Sequence, residues 1–189
     1  MNAKEAFDLF VKLPIKGTIL DIGSNNKRAH TNKFREKGFK VITVDPHYDA
    51  DIQEHWPCCE LPEVDHIWCS HTLEHSRNPG KFLDAIYKTL PEKGWLAITV
   101  PPMKQYIVGG HVTLWNAGLL LYNLILSGFN CKQAKVKTYN YNVSVVVQKR
   151  PARLPVLTNN FKDITSLAKF FPCEVFQDFD GNISEINWE

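Results

Sequence analysis

The sequence lacks the features that mark several classes of protein. It has no run of ~18 consecutive apolar residues, so it predicts no membrane-spanning helix. Low-complexity segments and internal repeats are absent, and 44% hydrophobic with 22% charged residues is typical of a globular chain. The segment 1–17 carries charges within an apolar pattern, which indicates an amphipathic helix and not a signal peptide.

Cysteine pairing and excess charge are also lacking. The five cysteines are an odd number without CxxC spacing, which fits neither a disulfide framework nor a zinc ribbon. Reduced thiols, and therefore a cytoplasmic location, are expected. The 22 basic and 20 acidic residues leave a net charge of +2, which argues against a polybasic nucleic-acid binder. We expect neither a nucleic acid nor a membrane as partner, and the oligomeric state stays open.

The apolar patterns alternate between strand and helix along the chain. They predict strands over 18–22, 39–45, 65–70 and 95–101, and helices over 2–12, 27–37, 79–90 and 115–127. This alternation indicates an α/β fold with a doubly wound, mostly parallel sheet and helices on both faces. Two later strand patterns, 131–139 and 143–149, favour an antiparallel pair at one edge.

The pattern changes after residue 150, where a linker-like PARLPV segment begins. We therefore predict a single domain over 1–150 and a C-terminal extension over 151–189 that packs on it. Within the extension, the sequence favours a helix over 160–171 and a short strand over 173–178.

Polar residues follow the predicted parallel strands where ligands of open sheets bind, at the carboxyl ends. Asp45 ends the second strand, 24 positions beyond Asp21, a spacing that suits a carboxylate gripping two ribose hydroxyls. The other residues at these ends are Asp21, Gly23 and Ser24 after the first strand, and Ser70 and His71 after the third.

The first loop, GSNNKR, keeps only the first glycine of a GxGxxG motif. A dinucleotide requires close approach of the backbone to its pyrophosphate, which Asn25 and Asn26 make harder. An adenosyl ligand without phosphate demands less of this loop. The sequence therefore favours such a ligand over a nicotinamide dinucleotide, although a nicotinamide oxidoreductase stays an alternative.

Four segments in order resemble the class I S-adenosylmethionine-dependent methyltransferases: ILDIGS (19–24), VITVD (41–45), DHIWCSHTLEHSRNP (65–79) and EKGWLAITVP (92–101). The most similar subgroup consists of small enzymes with an LEH motif, here residues 73–75. His111 and the segment 115–129 are similar to a later motif of the same group. The resemblance covers residues 17–149 and implies a Rossmann-like fold, methyl transfer and S-adenosylmethionine as cofactor.

The resemblance also implies roles for individual residues. Asp21 and Gly23, with Ser24 in the same turn, would lie against the methionine part and the ribose. Asp45 would hold the ribose hydroxyls, and Asp51 with Ile52 would flank the adenine. Ser70 and His71 would close the site beneath the sulfonium. The family usually has two or three glycines in the first loop, whereas this chain has Ser24-Asn25-Asn26. A non-catalytic adenosyl-binding scaffold is therefore an alternative.

The histidines offer two kinds of chemistry. His71 and His111 are the candidate general bases, because imidazole titrates in the range needed to take a proton from an acceptor. Residues 71–75 also have H-x-x-E-H spacing, but the motif follows a strand and not the helix that a zinc peptidase requires. A vicinal cysteine pair, Cys58 and Cys59, does not easily chelate one ion. We therefore predict no metal.

One alternative includes a metal. Small-RNA 3′-end 2′-O-methyltransferases carry a similar E-x-x-E-H motif with a downstream histidine, although the first glutamate is His71 here. A metal-assisted RNA methyltransferase thus stays open. The interpretation that we favour is a methyltransferase that acts on a small-molecule acceptor, a sugar or another metabolite, at an oxygen or nitrogen atom.

Overall fold

One mixed sheet organises the chain, and a computed structural model describes residues 2–57 and 61–189. Within these ranges the sheet has seven strands in the order β2-β1-β3-β4-β6-β5-β7. The strands are β1 (Thr18–Ile22), β2 (Lys40–Val44), β3 (His66–Ser70), β4 (Trp95–Val100), β5 (Lys135–Tyr139), β6 (Asn142–Gln148) and β7 (Glu185–Ile186).

The helices connect these strands and cover the sheet. They are α1 (Lys4–Phe10), α2 (Ala29–Glu36), α3 (Pro79–Thr89), α4 (Ala117–Leu126) and α5 (Asp163–Leu167), with single 3-10 turns at Leu73–His75 and Ala168–Phe170. Side-chain caps fix the start of two of them. Asn78 accepts a hydrogen bond from the Lys81 amide before α3, and Asn116 accepts one from the Leu119 amide before α4. In the described part of the chain, each helix is too short or too polar to cross a bilayer.

Strand directions confirm the predicted fold class. Strands β2, β1, β3 and β4 are mutually parallel, as the alternation of strands and helices requires. Strand β6 lies between β4 and β5 and is antiparallel to both. The sheet is therefore mostly parallel with an antiparallel edge, and the architecture is the Rossmann-like one expected from the sequence.

Two core layers lie on opposite faces of the sheet, because successive side chains of a strand point to opposite sides. Ile19 and Trp68 pack with the aromatic side chains of α1 and α2. Leu20 and Ile67 pack with the apolar side chains of α3 and α4. The two layers hold the central strands rigidly, and the carboxyl ends of β1, β2 and β3 come together at one edge.

The C-terminal residues pack on the second layer. Phe171, Val175 and Ile183 are buried in it, and β7 pairs with β5. The prediction of a strand over 173–178 is wrong, because Val175 is the single buried side chain in that segment and β7 occupies the edge of β5. The sequence analysis missed β7 because two residues produce no recognisable period. The division of the chain at residue 150 stays a prediction.

The start of α4 docks this C-terminal segment through its backbone. The Asn116 side-chain amide donates to the Asp180 carbonyl at 2.8 Å, and the Gly118 amide donates to the Gly181 carbonyl at 2.8 Å. A Cβ atom on Gly118 would lie 2.3 Å from Gly181 Cα, which is far inside contact distance. The chain therefore requires glycine at position 118 for this docking.

We expect Gly118→Ala to release the segment that ends in β7. The added methyl group cannot be accommodated without moving backbone, so stability should fall by about 1–3 kcal/mol. Urea unfolding and limited proteolysis of residues 176–184 measure the two effects. Gly80→Ala is the matched control, because its Cβ would meet no atom closer than 3.9 Å and alanine favours a helix. Equal protease resistance in both variants would contradict the proposed docking.

Candidate functional site

A cavity of about 980 Å³ opens at the carboxyl ends of β1, β2 and β3. This volume is at the upper end of the ~300–1,000 Å³ that ligand pockets usually have. Gly23, Asp45, Ser70 and His71 are among its lining residues, so the structure brings these four predicted residues together. The cavity is thus in the place that parallel sheets use for ligands.

The turn after β1 forms one wall of the cavity. Gly23 has a φ of 78°, and its amide donates to the Val44 carbonyl at 2.8 Å. A Cβ atom there would lie 2.0 Å from the Thr72 hydroxyl oxygen, so the turn requires glycine. Asn25 is also left-handed, with a φ of 52°, a conformation that asparagine tolerates. The loop therefore makes its tight turn with one glycine and one asparagine.

Asp45 faces the cavity from the end of β2 and is held rigidly. Its two carboxylate oxygens accept hydrogen bonds from the backbone amides of Asn25 and His47, each at 3.0 Å. Its own amide donates to the Ile52 carbonyl. Each oxygen keeps acceptor capacity toward the cavity, since a carboxylate oxygen can accept more than one hydrogen bond.

Two buried hydroxyl groups at the ends of β1 and β3 have no hydrogen-bond partner among the described residues. They belong to Ser24 and Ser70. Buried polar atoms are normally satisfied, so unsatisfied ones at a cavity indicate where a ligand supplies the partner. Ser70 lines the cavity, whereas Ser24 lies behind the wall.

Asp21 also lies behind the cavity wall and is 2% exposed. Its carboxylate accepts a hydrogen bond from the Thr31 hydroxyl on α2. Burial raises the pKa of Asp21 to about 6, and the negative charge of Asp45 adds to that rise against the effect of Thr31. The carboxylate therefore has an unfavourable environment that a positively charged ligand would improve.

Asp51 and Ile52 are placed differently from the other predicted residues. The Asp51 carboxylate accepts from the amide and the hydroxyl of Thr43, at 2.8 and 2.9 Å, and so turns toward β2. Ile52 forms a single bridge to Val44, where the sequence favoured a short strand. Neither residue lines the cavity.

His71 contributes its ring to the cavity wall, but both its nitrogens have neighbours. Nε2 lies 3.0 Å from Asn142 Oδ1, and Nδ1 lies 3.4 Å from Glu74 Oε1. Burial lowers the pKa of His71, but contacts with Glu74 and Asn142 outweigh it and raise the pKa above its ordinary value. No nitrogen of His71 is directed at the cavity in this arrangement.

His111 lies beside His75, with ring centroids 5.2 Å apart. Ligand atoms of Glu74, His75 and His111 all lie within 4.8 Å of one another. His75 lines the cavity, so this cluster adjoins it. Cys58 and Cys59, considered above as metal ligands, lie outside the described residues.

Sequence reasoning missed several residues of the cavity wall, among them His30, Trp56 and Arg77. The His30 ring lies 4.8 Å from the Trp68 ring, and burial lowers the pKa of His30 to about 4, which leaves it neutral. The Trp56 indole donates to the Phe82 carbonyl at 3.0 Å, which fixes its ring. Trp56 could have been found from the sequence, because it is a tryptophan within an otherwise polar segment. No sequence pattern pointed to His30 or Arg77.

Comparison with known proteins decides the family. Residues 3–123, well over half of the chain, match the family model described as a methyltransferase domain. The chain belongs to the methyltransferase domain family. This membership confirms the predicted enzyme class, an S-adenosylmethionine-dependent methyltransferase of class I, whereas the LEH-motif subgroup stays a prediction. No curated protein matches the sequence.

Solved methyltransferases share the fold. A Burkholderia thailandensis 1,6-didemethyltoxoflavin-N1-methyltransferase, with bound 1,6-didemethyltoxoflavin and S-adenosylhomocysteine, has a TM-score of 0.62 at 16% identity, over 78% of this chain and 77% of that one. Human N-acetylserotonin methyltransferase in complex with S-adenosylmethionine scores 0.63 at 13% identity, over 79% and 52%. A Haloferax volcanii putative methyltransferase, in complex with the Trm112 activator, scores 0.59 at 13% identity, over 78% and 89%. At these identities, the likenesses bear on the fold alone.

Proposed function

We propose that this methyltransferase binds S-adenosylmethionine in the cavity and methylates a small-molecule acceptor, a sugar or another metabolite, at oxygen or nitrogen. The position of Asp45 carries the proposal. Its carboxylate is buried, rigid and directed into the cavity at the end of β2, where a ribose diol can donate to both oxygens.

We assign the other cofactor contacts to residues in or behind the same wall of the cavity. Gly23 lines the cavity with its backbone, and the Ser70 hydroxyl, which also lines it, supplies unused hydrogen-bonding capacity. A contact between Ser24 and the cofactor stays a prediction. Asp21 would stabilise the cationic part of the ligand from behind the wall, since among the described residues its buried carboxylate has only a hydrogen bond from Thr31 and a charge interaction with Arg35 to offset its burial. Neither Asp51 nor Ile52 lines the cavity, and the Asp51 carboxylate is engaged by Thr43, so the adenine contacts of both residues stay predictions.

The volume of the cavity, about 980 Å³, is that of a small-molecule site, which favours a small acceptor over a polymer. The Burkholderia neighbour is crystallised with 1,6-didemethyltoxoflavin, which agrees with such an acceptor. S-adenosylmethionine supplies a methyl group on a sulfonium, which is a good leaving group. The chain then has to hold the acceptor in line with that methyl group and accept a proton where the acceptor loses one. His71 and His111 as general bases stay predictions, as do the cytoplasmic location and the absence of a nucleic-acid partner.

Calorimetry with S-adenosylmethionine and S-adenosylhomocysteine tests this proposal. We expect micromolar binding to the wild type, weakened at least ~10-fold (about 1.4 kcal/mol) in Asp45→Asn, because an amide offers one acceptor where the carboxylate offers two. Asp49→Asn is the matched control, since Asp49 lies in the same loop and its side chain is 96% exposed.

Two results would count against the proposal. A folded wild type that binds neither compound would favour the non-catalytic scaffold. Equal affinity of the wild type and Asp45→Asn for these compounds would show that Asp45 does not bind the ribose. With binding established, a panel of hydroxyl-bearing and amine-bearing metabolites identifies the acceptor class.

A further inference from the structure

The connection between β4 and α4, residues 101–116, is long and carries exposed apolar side chains. Connections of more than ~12–15 residues without regular structure are uncommon in compact domains, and ordered ones are usually functional, as lids or binding loops. Five of the twelve large apolar side chains that are exposed among the described residues belong to this one connection, so they are not scattered over the surface. They are Met103, Tyr106, Ile107, Val112 and Leu114.

Tyr106 and Ile107 form the tip of this connection. At its base, the Met103 amide donates to the Trp115 carbonyl at 2.8 Å, which holds the two ends together. At the tip, Tyr106 is 66% exposed and Ile107 is 95% exposed. Contact of apolar surface with water is unfavourable in proportion to its area, so two adjacent apolar side chains at a loop tip indicate a surface that a ligand or partner covers.

Two contacts fix the tip beside the cavity. On one side, the Gly110 carbonyl oxygen lies 2.7 Å from Nδ1 of His75, which lines the cavity. On the other side, Lys104 Nζ lies 5.4 Å from the centre of the Tyr141 ring. That ring stacks on His71, which also lines the cavity, with centroids 6.5 Å apart and an angle of 14° between the planes. Both ends of the tip are therefore attached to cavity-lining residues that follow β3.

The residues between these two contacts, 105–109, are called the rim loop below. All of them are described, and none lines the cavity in this structure. Ile107 is three residues from either contact, so an extended backbone lets it lie up to about 10 Å from them. Gly109 has room to change direction, because a Cβ atom there would meet no atom within 4 Å. The rim loop can therefore reach over the cavity while its ends stay in place.

The rim loop borders the side of the cavity that the proposed cofactor contacts leave open. Strand β1 lies between β2 and β3 in the sheet. Gly23 and Asp45 line the cavity at the ends of β1 and β2, whereas His71 and His75 line it after β3. A cofactor held by Asp45 thus leaves the β3 side for the acceptor, and the rim loop stands at that side.

We propose that Tyr106 and Ile107 close over the bound acceptor, and that the acceptor carries an apolar ring or chain beside the hydroxyl or amine that is methylated. The inference rests on the proposed function and selects an apolar metabolite over a sugar. An apolar acceptor gives closure a driving force, because it buries the exposed surface of both side chains. A sugar would bring hydroxyl groups against Ile107, where they lose hydrogen bonds to water without gaining a partner. Closure would also keep water away from the reacting atoms.

Hydrogen exchange of the full chain with matched ring compounds tests the acceptor class. Phenol and cyclohexylamine offer a hydroxyl or an amine on an apolar ring, and glucose and glucosamine offer the same groups on a sugar ring. With S-adenosylhomocysteine bound, exchange at the amides of residues 105–110 should slow at least ~10-fold with an apolar compound and stay unchanged with the sugars. Mass spectrometry of peptides from this segment measures the exchange.

Ile107→Ser tests the rim loop against a matched exposed residue. Because Ile107 is 95% exposed, the substitution should leave the unfolding midpoint unchanged. It should raise the dissociation constant of the apolar compound at least ~10-fold, and the KM of an apolar acceptor with it, while kcat and the affinity for S-adenosylhomocysteine change little. Ile107→Leu should restore the wild-type constants. Val156→Ser is the control, since Val156 is 93% exposed in the C-terminal extension and should leave every constant unchanged.

Three results would overturn the inference in a chain that binds the cofactor. They are rim-loop exchange that neither apolar compound slows, exchange that the sugars slow equally, and equal affinity of the wild type and Ile107→Ser for the apolar compound. Exchange that slows with protein concentration alone would also overturn it, because a second copy would then cover the tip. A wild type that binds no S-adenosylmethionine would overturn the proposed function and this inference with it, and calorimetry on the same sample identifies that case.

Discussion

Asp21→Asn is expected to raise the free energy of unfolding by about 3 kcal/mol at pH 8. The carboxyl titrates at about 6 in the folded chain against 3.8 when free, because burial disfavours its charged form. That difference corresponds to about 3 kcal/mol. Asparagine keeps the size of the side chain and an acceptor for Thr31, but it carries no charge to bury. Urea unfolding at a series of pH values measures the gain.

The pH dependence of the gain has a defined sign. Below pH 3.8 the carboxyl is protonated in both states, so wild type and Asp21→Asn should be equally stable apart from the chemistry of the substitution. As pH rises through about 6, the wild type loses the stability that the neutral carboxyl provided, and the variant does not. A gain that stays constant from pH 4 to pH 8 would contradict this account.

Thr31→Val is the matched control for the same site. Its hydroxyl donates to the Asp21 carboxylate, and valine has nearly the same shape. Removing the donor should destabilise the wild type at pH 8 by about 1.5–3 kcal/mol, and by less in the Asp21→Asn background. The loss of stability from Thr31→Val in the wild type, minus its loss in Asp21→Asn, measures the interaction between the Thr31 hydroxyl and the Asp21 carboxylate.

Keeping a destabilising carboxylate has a functional explanation. Under the proposed function, an ionised Asp21 behind the cavity wall would attract S-adenosylmethionine, which carries positive charge. Asp21→Asn should therefore bind the cofactor more weakly while it folds more stably. Such an exchange between stability and activity is common at binding sites.

The sequence predicted those parts of the fold and the site that depend on a local hydrophobic pattern. The first four strands are short apolar runs that end at turn residues, and the first four helices carry helical patterns of their own, so the sequence placed each to within a few residues. The position of Asp45 at the cavity was predictable because it depends on one strand and its end, whereas its contact with the cofactor stays a prediction. The contacts of Asp51 with Thr43, and of His71 with Asn142, were not predictable, because they depend on how distant segments pack.

The histidine cluster could be predicted in part. The resemblance to the small-RNA methyltransferases already grouped Glu74 and His75 with His71 and a downstream histidine, His111. The structure turns His71 toward Asn142 on β6 and brings His111 beside His75 through a loop that contacts the Glu74 backbone. No spacing in the sequence encodes that loop geometry, so the contacts of His71 with Asn142 and of His111 with His75 required coordinates.

Phe34→Ala is expected to lower the free energy of unfolding by about 3–5 kcal/mol, the usual cost of removing a buried phenylalanine ring. Phe34 is fully buried on α2, and its ring centroid lies 4.7 Å from that of Phe7 and 5.4 Å from that of Trp68. Aromatic neighbours of this size cannot collapse into the space left behind, so the cavity persists. Urea unfolding followed by circular dichroism measures the loss.

Phe34→Ala should also weaken cofactor binding, because α2 carries Thr31, whose hydroxyl donates to Asp21. A loosened α2 weakens that hydrogen bond, so Phe34→Ala should bind S-adenosylmethionine less tightly even where it remains folded. Phe161→Ala is the control, since Phe161 is 60% exposed and its loss should change stability by no more than ~0.5 kcal/mol. If Phe34→Ala cost less than ~1.5 kcal/mol, α2 would not be the element that fixes this side of the cavity.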